Sequence, residues 1–293
     1  MARRPTSLGV FLGNHVSVVR IELVRVRGSS PREKGTEMFV ATDALWGTIG
    51  GGQLEYLAIE AARNMLSGGV LHKDMDVPLG PEIGQCCGGR VELKLARMRA
   101  SDKRAAQCRA DKNENALPHV YVMGAGHVGR ALANQFQHMP VRCVLVDTRG
   151  DELALCEAAV EMRETPLPEI DLWNAPSGSA FIVLTHDHGL DFLLTSAALE
   201  RGDAAYVGMI GSATKRVKFR NWARTHCDGQ TIKDLNCPIG AHGSCDKRPS
   251  VIAAFVVAEV MAELTSEPVV TAQCRVNKAP MSGQQPDRKG KSA

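Results

Sequence analysis

No apolar run in this chain of 293 residues is long enough to cross a membrane as a helix. The longest, residues 251–258, stops at Glu259, well short of the ~18 residues that a span needs. Charge of one sign is also lacking: 35 Lys and Arg stand against 32 Asp and Glu, a formal net charge of +3. Residues 266–293 hold Arg275, Lys278, Arg288, Lys289 and Lys291 against Glu267 and Asp287, so residues 1–265 are formally neutral. A neutral body argues against the extended basic stripe that a nucleic-acid backbone needs. Neither a membrane nor a nucleic acid is therefore expected as a partner. No internal repeat is present, which excludes a solenoid or propeller. A disulfide scaffold is excluded too, because the nine cysteines are few for the length and odd in number. Arg3-Arg4 is followed by an apolar stretch, residues 8–12, too short for the core of a secretion signal. The expectation is a cytoplasmic chain with reduced thiols.

What is present is ordinary globular material, 44% hydrophobic and 23% charged, with a length that suggests two modest domains. In the first part, residues 16–26, 38–41, 45–49 and 91–95 read as strands. Leu54, Leu57, Ala58, Ala61, Ala62 and Met65 recur at helical spacing and Gly68-Gly69 ends that helix. Residues 97–118 are charged and polar and read as a linker, partly helical. Beyond them the pattern changes. Residues 119–123, 141–146, 180–184 and 205–210 are continuous apolar runs, each followed by a helical pattern, and residues 250–264 form a last helix. Continuous rather than alternating runs fit parallel strands buried on both faces. The fold class expected is α/β: a mixed α+β N-terminal domain (1–96), a linker (97–116), a Rossmann-like parallel-sheet domain (117–265) and a disordered tail (266–293). Right-handed crossovers predict the sheet order 3-2-1-4-5.

Gly124-Ala125-Gly126-His127-Val128-Gly129 is a GxGxxG that follows a strand and opens a helix, with Asp147 at the end of the next strand. That context gives the motif its meaning. Gly124 would allow a tight turn, Gly126 the close approach of a phosphate, and Gly129 helix–strand packing. The helix N-terminus offers N–H groups to an anion. Asp147 would bond vicinal hydroxyls; Arg149 could reach a phosphate instead. The plainer alternative is a turn kept for architecture.

Cys86-Cys87 stands between Gly84 and Gly88-Gly89. Adjacent cysteines make a poor structural zinc site. Flanking glycines let a ligand approach the thiols, and soft thiolates suit soft metals. Thr185-His186-Asp187-His188 follows a buried strand, where a metal or acid–base site could lie; Asp187 is better read as a helix cap. Ser212 is a plausible N-cap, with Lys215 and Arg216 in the first turn, where cations do not serve the helix dipole and an anion would offset them. Solvated surface charge is the alternative there.

Together, several of these segments resemble the XdhC/CoxI family. They are residues 27–32 (Arg-Gly-Ser-Ser-Pro-Arg), 47–55 (Gly-Thr-Ile-Gly-Gly-Gly-Gln-Leu-Glu), 84–91 (Gly-Gln-Cys-Cys-Gly-Gly-Arg-Val), 124–129, 185–188, 208–212 with Lys215-Arg216, and 237–240 (Cys-Pro-Ile-Gly). Gln53 resembles the XdhC branch, since CoxI-like relatives often carry Cys there. The resemblance implies an accessory protein, not an enzyme. It would bind molybdenum cofactor (Mo-molybdopterin) as cargo, protect it, support its sulfuration by a cysteine desulfurase and deliver it to the molybdenum subunit of apo xanthine dehydrogenase. A homo-oligomer is expected. Cys86 and Cys87 would lie near molybdenum. The cofactor's phosphate suits a glycine-rich turn, either Gly50-Gly51-Gly52 or Gly124, Gly126 and Gly129 with Asp147, Ser212, Lys215 and Arg216; the resemblance leaves the choice open. The main rival is an NAD(P)-dependent oxidoreductase using the GxGxxG. A metal-dependent hydrolase centred on His186, Asp187 and His188 is the third reading.

Overall fold

A computed structural model describes residues 7–80, 88–227, 232–241 and 243–265. The chain divides into two units, Met1–Leu117 and Pro118–Ala293.

In the first unit, strand β1 (Val19–Arg27) buries Val19, Ile21 and Leu23 on one face, the period-2 pattern of a half-covered sheet. It pairs antiparallel with β2 (Glu37–Val40) and with β5 (Gly89–Arg97); β3 (Leu45–Gly47) and β4 (His72–Leu79) complete the order β3-β2-β1-β5-β4. Helix α2 (Gly52–Gly68) covers the apolar face with Leu54, Ala58, Ala61, Ala62 and Met65, the residues whose spacing predicts it.

The stretch read as a linker is mostly helix α3 (Ala100–Asn115) and belongs to this first unit. Only Ala106 is buried along it, so no apolar stripe announces the packing. It docks instead through Lys103. The ammonium donates to the carbonyls of Leu12 (3.3 Å), His15 (2.5 Å) and Val16 (3.0 Å), at and beyond the end of helix α1 (Leu8–Asn14). Burial lowers the pKa of that ammonium. Leu8, Phe11, Leu12, Phe39 and Ala106 close a small core around the contact.

The second unit is a parallel sheet with buried side chains on both faces. Its elements are β6 (His119–Met123), α4 (His127–Phe136), β7 (Arg142–Asp147), α5 (Gly150–Ala154), β8 (Glu161–Glu164), α6 (Pro168–Trp173), β9 (Ala180–Val183), α7 (His188–Glu200), β10 (Tyr206–Met209), α8 (Ala213–His226), β11 (Leu235–Asn236) and α9 (Pro249–Thr265). Every strand pair is parallel. The order β11-β10-β9-β6-β7-β8 is the expected 3-2-1-4-5 with β11 added at one edge. Val120, Val122, Leu145 and Ile182 face α4 and α9, while Tyr121, Met123, Val144 and Phe181 face the core of α7 and α8. The α/β class and the Rossmann-like second half are thus as expected. Residues 266–293 lie outside the described residues.

Candidate functional site

In the first unit, three of the motif segments meet. Ser29 bridges Gly88 in parallel fashion. A Cβ on Gly89 would sit 1.9 Å from the Ser29 carbonyl oxygen, so the two backbones approach as only glycine permits. A Cβ on Gly50 would meet Pro31 Cγ at 2.5 Å, which places the Gly50-Gly51-Gly52 turn against Ser29-Ser30-Pro31. Glu55, one turn into α2, reaches back into this turn. Its Oε2 accepts from Thr48 Oγ1 (2.6 Å), the Ile49 N–H (3.1 Å) and the Gly51 N–H (3.1 Å). In the sequence, Glu55 is marked by its place as an acid in the first helical turn after a glycine run. Gly51 and Gly88 face open space, with nothing within 4 Å of where a Cβ would stand. Arg32 makes no ion pair among the described residues. Cys86 and Cys87 lie outside the described residues; the residue that follows them in the chain is the Gly88 that pairs with Ser29.

In the second unit, the sheet order reverses between β6 and β9, and the loops after these strands lie side by side at their C-terminal ends. Such a switch point opens a crevice. Gly124 has φ +129°, and a Cβ there would stand 2.4 Å from the Leu184 carbonyl oxygen, which fixes it as the tight turn. A Cβ on Gly129 would stand 1.8 Å from the Gly124 carbonyl oxygen, so Gly129 is the helix–strand contact. Gly126 has nothing within 4 Å and caps α4 without any side-chain bond. Each glycine therefore has the geometry its motif position predicts.

Asp147 is less available than the motif implies. Its Oδ2 accepts from the Ala125 N–H (2.6 Å), and its two oxygens together take Nε, Nη2 and the backbone N–H of Arg149 at 3.0–3.1 Å. Burial alone would raise the Asp147 carboxyl, but the bonds from Arg149 and Ala125 outweigh it and hold the group below the usual carboxylate range. Arg130 continues the network, donating to the Ala125 carbonyl (2.7 Å) and to Glu152 (2.5 Å). A ribose could bond Asp147 only after Arg149 swung away.

Ser212 caps α8, accepting from the Lys215 N–H at 3.2 Å. Lys215 and Arg216 are both engaged within the protein. Lys215 Nζ is paired with Asp191 Oδ2, and Asp191 is 1% exposed. Asp191 Oδ1 also accepts from the Thr185 N–H and hydroxyl, both at 2.8 Å, so this pair ties the loops after β9 and β10 together. Arg216 Nη1 donates to the carbonyls of Leu235 (2.7 Å) and Cys237 (3.2 Å), holding β11. Asp187 caps α7, accepting from the N–H groups of Gly189 (2.6 Å) and Leu190 (3.1 Å). Among the described residues no group of three or more His, Cys, Asp or Glu is placed to hold a metal ion. His186, Asp187 and His188 form no such group.

With this geometry in view, comparison with known proteins is direct. Residues 120–260 match the model of the XdhC Rossmann domain, and residues 12–73 match that of the XdhC and CoxI family. The chain belongs to the XdhC and CoxI family. Cys86 and Cys87 fall between the two matched stretches. YqeB of Escherichia coli (strain K12), an uncharacterized protein, is 24% identical over 255 residues, 82% of this chain and 42% of that protein. The chain thus spans less than half the length of that curated relative. The crystal structure of a xanthine dehydrogenase from Bacillus halodurans shares the fold, with a TM-score of 0.74 over 94% of this chain and 97% of that one, at 15% identity. No helix among the described residues is long and apolar enough to cross a membrane.

Proposed function

We propose that this chain is an accessory protein of molybdoenzyme maturation. It binds molybdenum cofactor as cargo, shields it from water and oxygen, holds it for sulfuration by a cysteine desulfurase and passes it to the molybdenum subunit of apo xanthine dehydrogenase. The observation that carries the reading is the meeting of three family motifs, around Ser29, Gly50 and Gly88, at one place in the first unit. Gly51 and Gly88 leave open space there, and Arg32 supplies a cation. In this proposal the two thiols are the soft ligands for molybdenum, and the protein works as a homo-oligomer in the cytoplasm, where thiols stay reduced.

The test is elemental and pterin analysis of the protein isolated from cells that make the cofactor, followed by activation of apo xanthine dehydrogenase. Stoichiometric molybdenum and pterin, lost in Cys86→Ser/Cys87→Ser, are expected. A folded double variant that binds and delivers cofactor as well as the parent defeats the assignment of the thiols. The NAD(P) reading retains one supporting feature, the open face at Gly126. It predicts tight NAD(P)H binding by the isolated protein, which the closed Asp147–Arg149 pair argues against.

A further inference from the structure

Helix α2 covers one face of the first unit's sheet. On the other face, α3 stands beside the strands and leaves a groove of about 500 Å³, within the range of ~300–1,000 Å³ typical of small-molecule sites. Its cationic lining is Arg20, Lys94, Arg97, Arg99 and Arg109, with His72 at one side; Asp102 is the acidic residue among the lining side chains.

These cations are not equally engaged. Arg20 is bonded to Glu37 (2.9 Å) and Glu22 (3.1 Å), and Arg109 shares Glu37 (2.9 Å). Arg97 donates to the Ser17 hydroxyl at 3.2 Å, a neutral partner. Asp102 accepts from the backbone N–H of Arg99 at 2.8 Å and forms no ion pair with its guanidinium. Asp74 stands opposite Lys94 in the β4–β5 register, but no ion pair joins them. Lys94, Arg97 and Arg99 therefore have no carboxylate within ion-pair distance among the described residues. Farther along the same strands the charges are closed. Arg90 holds Asp76 at 2.6 Å and Arg27 holds Glu92 at 2.9 Å. The groove thus gathers three cations without carboxylate partners around one small cavity, which suits a compact polyanion rather than an extended acidic protein. Guanidinium forks match phosphate oxygens in pairs, and an ammonium adds a point charge.

We propose that this groove binds a small phosphate compound bearing two or more negative charges, such as a diphosphate, held by Lys94, Arg97 and Arg99. The site is separate from both glycine-rich turns and does not depend on the cargo reading. Isothermal titration of the full chain with inorganic pyrophosphate, and separately with ADP, at about 0.15 M salt tests it. Saturable binding of pyrophosphate is expected, weakened about tenfold or more in Lys94→Gln/Arg99→Gln, since a hydrogen bond to a charged group is among the stronger kind. Melting temperature should not change in that variant, because neither side chain has an ion-pair partner to lose. Binding should survive Gly126→Asp, which blocks the other candidate anion turn. Tighter binding of ADP than of pyrophosphate would identify a nucleotide as the ligand; equal binding would identify the phosphates alone. Absence of saturable heat overturns the proposal. So does binding that Gly126→Asp abolishes and Lys94→Gln/Arg99→Gln leaves intact, or capture of polyglutamate without any of pyrophosphate.

Discussion

Gly129→Ala and Gly126→Asp separate the two tasks of the α4 turn. The methyl added at Gly129 would stand 1.8 Å from the Gly124 carbonyl oxygen and 3.0 Å from its carbon. Both atoms are backbone, so no flexible side chain can yield. Gly124 cannot retreat either, since it lies against the Leu184 carbonyl with φ +129°. Helix α4 must therefore lift off β6, drawing Leu132, Ala133 and Phe136 out of the core they share with α9. Overpacking costs about 1–3 kcal/mol, and a backbone-on-backbone clash belongs at about 3 or above on that scale. At ~2–4 °C per kcal/mol for a domain of this size, Tm should fall by roughly 6–12 °C. Gly126→Asp should behave in the opposite way. Its φ is −64°, ordinary for any residue, and nothing lies within 4 Å of the added carbon. Asp is a preferred N-cap, worth a few tenths of a kcal/mol over Gly, so Tm should hold within about 2 °C. It puts a negative charge where a ligand phosphate would approach, and cofactor affinity should drop about tenfold or more. Thermal melts and cofactor titration of both variants are the assays. A Gly129→Ala protein that melts with the parent refutes the packing argument; a folded Gly126→Asp protein with parental affinity shows that the turn is architectural.

Lys103→Met keeps the stem of the side chain and removes the ammonium that caps α1, so urea unfolding should show a loss of about 1–2 kcal/mol. Asp147→Asn should destabilise by about 1–3 kcal/mol at pH 7, as for hydrogen bonds to a charged group. Because the folded-state pKa of Asp147 is depressed, its contribution is present above the unfolded value of about 3.9 and fades as pH falls through the folded value. The acid limb of stability should accordingly be shallower in Asp147→Asn, and an unchanged limb would assign it to other carboxylates. Burial pushes the Cys143 thiol up to about 12, so iodoacetamide at pH 8 should not label it in the folded protein, whereas Cys143→Ser should lower Tm by placing a hydroxyl in an apolar strand.

The apolar strands of the second unit were legible because burial on both faces leaves continuous runs, as at residues 119–123 and 180–184. Two of the edge strands were not. β4 reads His-Lys-Asp-Met-Asp-Val-Pro-Leu and β8 reads Glu-Met-Arg-Glu. Each has one paired neighbour and a mostly solvated surface, so neither shows the alternation that marks a half-buried strand. The docking of helix α3 escaped for a related reason: it is carried by one ammonium, one small residue and the Arg109–Glu37 pair at 2.9 Å, none of which leaves a periodic trace. In the candidate sites, the roles of the glycines were legible because steric demand is local. Charge pairing was not. Lys215 and Asp191 are far apart in sequence and meet because β9 and β10 are neighbours.

Those charge pairs also discriminate between the two turns that sequence alone left equal as phosphate sites. Each has a carboxylate of the protein on its N–H groups, Glu55 in the first unit and Asp147 in the second. Glu55 has no cation within ion-pair distance among the described residues, so a phosphate entering the Gly50-Gly51-Gly52 turn would meet an uncompensated negative charge and lose the donors that Glu55 already holds. Asp147 is neutralised by Arg149, and Arg130 stands on the Ala125 carbonyl of the same turn. The N-terminus of α4 has no side-chain cap, so its N–H groups remain for an anion. On these charges Gly126 is the less obstructed of the two turns for an anion, while Glu55 has the structural task of holding Gly51 beside Ser29-Ser30-Pro31. Glu55→Gln should cost about 1–2 kcal/mol in stability, by weakening hydrogen bonds to a charged acceptor, and should leave phosphate-dependent affinity unchanged. A folded Glu55→Gln protein that binds cofactor more tightly than the parent would reverse this order of the two turns, since relief of repulsion at Gly50-Gly51-Gly52 is the effect expected if the phosphate sits there.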